Sequence, residues 1–305
     1  MAKNNIVVVG SSNTDMIIKL DRIPRPGETI LGGEFVTAPG GKGANQAVGA
    51  ARAGGAVTFV ARVGRDMFGE QAIQGFLKDR INVDYVFKDK ASPSGVALIF
   101  VGKDGENSIA VASGANGKLS PADVKKAKAA IASASILVMQ LETPLETVQA
   151  AAELASARGV RVILNPAPAR ALPDGLLKLI SIVTPNETEA ELLTGIKVDS
   201  DDTAKQAAQG LLAKGVQTVI ITLGARGAMV VTGESCQRVP GFNVKAVDTT
   251  AAGDIFNGAL AVALAEEKPL LEAVKFACAA GALSVTKMGA QPSAPKRREI
   301  DAMMG

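Results

Sequence analysis

Short, continuous apolar runs alternate with helix-spaced segments along most of this 305-residue chain, and that alternation leaves few folds open. Val7-Val8-Val9-Gly10 and residues 57–61, 136–140, 160–164, 181–184 and 218–222 read as strands. Without the apolar–polar alternation of a half-exposed strand, such runs suit burial on both faces. Residues 69–80, 121–132, 144–158 and 203–214 read as helices. Ser120 is placed as an N-cap, with Pro121 at the first helical position. The expectation is an α/β fold of three αβα layers around a mostly parallel sheet. No repeat, low-complexity stretch or long linker divides the chain.

Two stretches break the alternation. Arg22-Ile23-Pro24-Arg25-Pro26-Gly27 carries too much Pro and Gly for a central strand and reads as short β-like pieces. Residues 96–101 and 108–111 flank Lys103-Asp104-Gly105-Glu106, and Asp-Gly between apolar runs signals a hairpin. Residues 13–37 and 94–112 are thus expected to form a small β-sheet lid, on a main domain of 1–12, 38–93 and 113–305. Its apolar face would need cover from lid closure or a second subunit.

A parallel sheet sends its strand carboxyl ends to one edge, where ligands bind. Asn13, Asp15, Glu142, Asn186, Glu189, Thr222 and Gly224 lie at such ends. Asn13 and Asp15 suit either a polyol or a local turn. Asn186 and Glu189 suit either a helix cap with a first-turn acid or a carboxylate ordering water around Mg²⁺–phosphate. The turn at Gly40-Gly41-Lys42-Gly43-Ala44-Asn45 is not a Walker A loop, because Gly43 follows Lys42. It also lacks the third glycine of a dinucleotide fingerprint, which disfavours a dehydrogenase. Lys42 and Asn45 on that turn can grip a polar ligand. At Ala251-Ala252-Gly253-Asp254, small residues run into an acid and then into a helix-spaced segment with Ile255, Phe256, Ala259 and Leu260. Small residues at a helix start admit an anion to the backbone N–H groups, and Asp254 beside them can take a proton. An N-cap is the alternative role for Asp254.

The chain contains no histidine, which excludes a Ser-His-Asp triad, a His-ligated metal and a His base. A net charge of +3, one Tyr, nine Phe and no Trp give little basis for nucleic-acid binding. No apolar run reaches the ~20 residues of a membrane span. The run after Met1-Ala2-Lys3-Asn4-Asn5 is too short for a signal sequence. Two cysteines fit a reducing cytoplasm rather than a disulfide framework.

Together these residues resemble the ribokinase (PfkB) family of carbohydrate kinases, nearly end to end. Gly40-Gly41-Lys42-Gly43-Ala44-Asn45 and Asp248-Thr249-Thr250-Ala251-Ala252-Gly253-Asp254 carry the resemblance. Asn186-Glu187-Thr188-Glu189 and Thr222-Leu223-Gly224-Ala225-Arg226-Gly227 support it. Gln46, Asn165-Pro166-Ala167-Pro168 and Gly289-Ala290-Gln291-Pro292-Ser293 are most like the family's ribose-phosphorylating members. The resemblance implies a ribokinase-like fold and ATP-dependent phosphorylation of D-ribose at its 5-hydroxyl. Another sugar or a nucleoside as acceptor, or a non-catalytic ribose- or nucleotide-binding module, are the alternatives.

By the same resemblance, Asn13, Asp15, Gly41, Lys42, Gly43, Asn45 and Glu142 would bind ribose, and Asp254 would deprotonate it. Ala251, Ala252 and Gly253 would form the anion hole. Asn186, Thr222, Leu223, Gly224, Ala225, Arg226, Gly227, Gly253 and Cys278 would line the ATP site, and Glu189 would order the Mg²⁺ water shell. Asp248, Thr250, Ser284, Lys287, Gly289 and Ser293 would surround an activating K⁺. A homodimer through the lid sheets is implied. Two positions depart from the family pattern. Ile255 stands where a small hydroxyl residue is usual, and costs little only if it points into the body of the protein. Cys278 stands where an imidazole often flanks adenine.

Overall fold

Ile6 and Val8 lie in one buried core, and Val7 and Val9 in another on the opposite face of the same sheet. A strand covered on both faces needs apolar residues at every position, which is what this one supplies. The computed structural model describes residues 5–104 and 106–305. Gly105 of the expected hairpin turn and residues 1–4 of the N-terminal reading lie outside them.

In chain order the elements begin β1 (Asn5–Val9), β2 (Asn13–Lys19), β3 (Glu34–Gly40), α1 (Lys42–Arg52), β4 (Ala56–Gly64), α2 (Met67–Lys78) and β5 (Asn82–Asp89). Next come β6 (Gly95–Val101), β7 (Asn107–Ala112), α3 (Pro121–Lys126), α4 (Lys128–Ala132), β8 (Ile136–Met139), α5 (Leu145–Ser156) and β9 (Arg161–Leu164). Then follow α6 (Asp174–Leu177), β10 (Ile182–Val183), α7 (Glu187–Thr194), α8 (Asp201–Ala213) and β11 (Thr218–Thr222). The chain ends with β12 (Ala228–Thr232), β13 (Cys236–Val239), α9 (Ala252–Ala265), α10 (Leu270–Ser284) and α11 (Arg297–Met304).

The main sheet runs β13-β12-β11-β10-β9-β8-β1-β4-β5. It is parallel from β11 through β5 and antiparallel at β11–β12 and β12–β13. Residues of α1, α9 and α10 cover one face; α5, α7 and α8 cover the other. This is the expected three-layer fold. The second sheet runs β3-β2-β6-β7 and forms the lid. Every residue of β7 is exposed, as are Phe35, Val36 and Leu98.

Four local expectations change. Asn13 and Asp15 do not sit in a turn: they open β2, paired with β3 and β6. Residues 22–27 form no strand, because the Arg22 guanidinium and the Arg25 N–H both close onto the Glu28 carboxylate. The single helix expected over 121–132 is two, since Ala127 at φ −84°, ψ 7° interrupts the ladder. Its start is as read: Ser120 and Asp123 form a reciprocal capping box. The strand expected over 181–184 shortens to β10, and beyond it Thr184 turns its hydroxyl to Asn257.

Candidate active site

α9 is apolar nearly all round and buried from Asp254 to Ala265, so it runs through the interior. It packs closely on α1: a Cβ at Gly258 would stand 2.6 Å from both Ala50 N and Gln46 O. Its N-cap is Ala251, which adopts a left-handed φ of 61° and offers no side-chain cap. Asp254 is therefore not the cap. Its side chain turns instead to α1 and accepts hydrogen bonds from Asn45 Nδ2 on Oδ2 and Gln46 Nε2 on Oδ1, both at 3.0 Å. Asp254 is 5% exposed, and burial pushes its carboxyl up against the opposing pull of the Lys42 ammonium. Ile255 is buried and faces Gly49 of α1. It points into the body of the protein, away from the helix entrance, so it does not obstruct an anion there.

The start of α1 supplies the neighbouring groups. Gly41 takes φ 88°, and a Cβ there would fall 2.6 Å from Asn13 N. A Cβ at Gly43 would fall 2.5 Å from Ser11 N. The two glycines let the turn lie against the end of β1. Glu142 Oε2 accepts from Lys42 N at 3.0 Å and Ser11 Oγ at 2.5 Å, so this carboxylate sits at the α1 N-terminus. Asn13 Oδ1 accepts from Asn116 Nδ2 at 2.7 Å. The Asp254 charge, more than any other, holds the Lys42 ammonium above its ordinary value. Burial, with Glu142 and Asp254 nearby, pushes the Asp15 carboxyl up from 3.8 to about 6. Asp15, Glu142 and Asp254 near one another, with the Lys42 ammonium beside Glu142 and Asp254, make an acceptor-rich pocket suited to a ligand that donates several hydroxyl protons.

The raised Asp15 value has a stability consequence. The folded chain holds a proton that the unfolded chain releases as pH rises through this window, so ionised Asp15 opposes folding above it. Asp15→Asn should therefore raise the melting temperature at pH 8 more than at pH 4, measured by circular dichroism. An equal change at both pH values would remove the charge-burial account.

A cavity of about 160 Å³ joins Lys42 and Asp254 to the other strand ends; Asn13, Asp15, Asn45 and Glu142 do not line it. Lys42, Asn186, Glu189, Thr222, Ala251, Ala252, Gly253 and Asp254 line it, together with Asn165, Thr184 and Asn257. A Cβ at Gly253 would meet nothing within 4 Å, so the first turn of α9 is open to a ligand. Asn186 and Glu189 form the reciprocal cap of α7, and burial pushes the Glu189 carboxyl up. The cap role read from their spacing is therefore occupied, while Glu189 still borders the cavity. Beyond Thr222, Leu223 N donates to Gly227 O at 2.8 Å. Gly224 and Gly227 take φ 57° and 93°, and a Cβ at Gly224 would meet nothing within 4 Å. Ala225 belongs to the same 3₁₀ turn, and the Arg226 guanidinium is held by Glu187 at 2.5 Å. Cys278 is buried in the core beside α9, which pushes its thiol up to about 12.

The remaining candidates gather on two adjoining loops. Asp248 accepts from Thr250 N at 2.9 Å and Gly289 N at 2.8 Å. Val247 N and Asp248 N donate to Val285 O. The Ser284 and Ser293 hydroxyls donate to Gly281 O and Ala290 O, and the Lys287 ammonium pairs with Glu299 at 2.9 Å. Side chains there are thus already engaged, and backbone oxygens are the donors left. A larger cavity, about 520 Å³, lies at the root of the lid among Asn13, Pro39, Arg52, Phe68 and Phe76, and is not lined by Lys42, Asp254 or Glu189.

Three comparisons bear on this geometry. The sequence profile described as "pfkB family carbohydrate kinase" matches residues 3–297. The chain belongs to the pfkB family of carbohydrate kinases. Among relatives of this pfkB kinase, the ribokinase of Haemophilus influenzae is 48% identical over 297 residues, covering 97% of each chain. A deoxyribokinase of Salmonella typhi is 41% identical over 298 residues, again covering 97% of each. The structure of an Arabidopsis thaliana ribokinase complexed with ribose and ATP superposes with a TM-score of 0.93 at 34% identity. That match covers 100% of this chain and 99% of the other. Ser11, Asn116, Gln140, Thr184 and Asn257 also border the groups of this site, beside Gln46 and Asn165 of the motifs above. Gln140 and Thr184 follow strand ends, and that position is the signal that would have found them.

Proposed function

We propose that the chain transfers the γ-phosphoryl group of ATP to the 5-hydroxyl of D-ribose, giving D-ribose 5-phosphate and ADP. The observation that carries the reading is Asp254 standing beside an open helix N-terminus in a cavity shared with Lys42. As the bond from the sugar oxygen to phosphorus forms and the bond to the β-phosphate oxygen breaks, the hydroxyl proton passes to Asp254. The Ala251–Gly253 backbone and Lys42 stabilise the charge on the phosphoryl oxygens. Asn13, Asp15, Asn45 and Glu142 orient the sugar. The Thr222–Gly227 turn holds the nucleotide, with Cys278 on its adenine side.

Among the described residues no group of three or more Asp, Glu or Cys side chains is placed to hold a metal. A Mg²⁺ that arrives on the phosphates and keeps its waters needs only the single carboxylate of Glu189 at the cavity wall. It would supply charge neutralisation. K⁺ suits backbone oxygens on the Asp248–Thr250 and Ser284–Ser293 loops, with Lys287 contributing only its backbone. The exposed Phe35, Val36, Leu98, Ile109 and Val111 of the lid fit a homodimer joined lid to lid. Both cysteines are free and no helix among the described residues is long and apolar enough to cross a membrane, which supports a cytoplasmic site of action.

The deoxyribokinase relative makes 2-deoxy-D-ribose the competing acceptor. ADP release with Mg²⁺–ATP and K⁺ is to be measured against D-ribose, 2-deoxy-D-ribose, D-fructose and adenosine. D-Ribose should give the highest kcat/KM, by about tenfold or more. A faster acceptor would replace ribose in the reading, and ribose binding without ADP release would make the chain a binding module.

A further inference from the structure

We propose that Gln46 is a positioning residue for Asp254, kept in orientation by Gln140; the inference rests on reading Asp254 as the base. Gln46 is completely buried. Its Nε2 donates to Asp254 Oδ1 and to Asn165 Oδ1, both at 3.0 Å. Its Oε1 accepts from Gln140 Nε2 at 2.6 Å. Asn165 Nδ2 in turn donates to Thr184 O at 3.3 Å.

The direction of this chain is fixed by its ends. An ionised carboxylate and a backbone carbonyl can only accept. Asn165 must therefore turn its amine to Thr184 and its oxygen to Gln46, and Gln46 must turn its amine to Asp254. A Gln46 amide turned end over end would set oxygen against oxygen at two buried contacts. Gln140 adds a third contact in the same sense: its amine meets the Gln46 oxygen, while its own Oε1 has no partner among the described residues. Gly10 leaves room for it: a Cβ there would stand 2.1 Å from Gln140 Oε1.

Each oxygen of Asp254 thus holds one amide donor, Gln46 on Oδ1 and Asn45 on Oδ2. Two anchors fix the plane of the carboxylate; one would leave it free to rotate. The charged groups around Asp254 are Lys42 of α1, Glu142 after β8, Asp15 of β2 and Glu189 of α7. None is altered by Gln46→Leu, so a limb moved in that variant reports the amide donor; Gln140→Glu adds a charge of its own and is read by kcat alone.

Gln46→Leu should lower kcat by roughly 10- to 100-fold with KM for ribose nearly unchanged. Losing a donor to the charged form raises the Asp254 pKa, so the acid limb of the kcat profile should move to higher pH. At Gln140 the isosteric Glu should cost more kcat than Leu, because a carboxylate can only accept and draws the Gln46 amine away from Asp254. A purely structural role predicts an unmoved limb in Gln46→Leu. Gln46→Leu with parental kcat and limb overturns the inference, as does Gln140→Glu milder than Gln140→Leu. Should Gln46→Leu not fold, Gln46→Met, which also lacks the donor, decides by the same two readouts. Asp254→Asn assayed in parallel separates the readings: if it is active, the base assignment fails and takes this inference with it. If it is inactive beside a parental Gln46→Leu, only the positioning role fails.

Discussion

Asp254→Asn is expected to lower kcat by roughly 10²–10⁴-fold, the usual worth of a general base, while ribose continues to bind. The substitution keeps the size of a side chain that is 5% exposed and removes its ability to take a proton. Burial raises the Asp254 carboxyl and so makes it a stronger base than an exposed aspartate, though Lys42, Asn45 and Gln46 limit the rise. Because a raised acid is protonated first as pH falls, parental kcat should be lost on the acid side, and the variant should lack that limb. The fold should survive, since the change also removes a buried charge near Asp15 and Glu142. The Asn amine must, however, face one of two donors, Asn45 Nδ2 or Gln46 Nε2; facing Gln46 costs less, since that amine keeps its bond to Asn165 Oδ1. Steady-state kcat with calorimetric ribose binding tests this; near-parental kcat would sink the base assignment.

The parts of the fold that could be read from sequence are those where local pattern and final environment agree. Val7–Val9 is apolar at each position because helices cover both faces of β1, and the run shows it directly. β5 and β13 gave no such signal, whereas β12 carries one in the buried apolar run Ala228–Val231 that went unread. They sit at or near the two edges of the main sheet, and β5 is largely half-buried or exposed, with a mixed sequence. Asn13 and Asp15 look like turn residues by chemistry, yet pairing with β6, some eighty residues away, makes them strand. At the site, the residues that follow strand ends were legible because the parallel topology sends those ends to one edge. The amide chain was not. Gln46 meets Gln140 and Asn165 only because α1, β8 and β9 come together, at separations of 94 and 119 residues. The motif that ends at Gln46 marks the residue but does not reveal its partners. Ile255 shows the converse: its helical spacing placed it on the apolar face, and the contact with Gly49 settled its direction.

Gly258→Ala should destabilise the protein even though alanine is the better helix former. In mid-helix the exchange favours Ala by about 0.5–1 kcal/mol. Here the new Cβ would stand 2.6 Å from Ala50 N and Gln46 O, which are backbone atoms of α1 and cannot swing aside. The helices must part, and overpacking of this kind costs about 1–3 kcal/mol, more than propensity returns. Gly210→Ala, in α8, is the matched control: its Cβ would meet only Thr194 Cγ2, at 3.7 Å, so the propensity gain should appear alone. The functional effect should exceed the energetic one. The α1–α9 contact is what holds Asn45 and Gln46 against Asp254, and a displacement of about 1 Å at a reacting group can cost on the order of 10²-fold in rate. Urea unfolding and kcat are to be measured on both variants. If Gly258→Ala gains stability as Gly210→Ala does and keeps its kcat, the close helix contact does not set the geometry of the base.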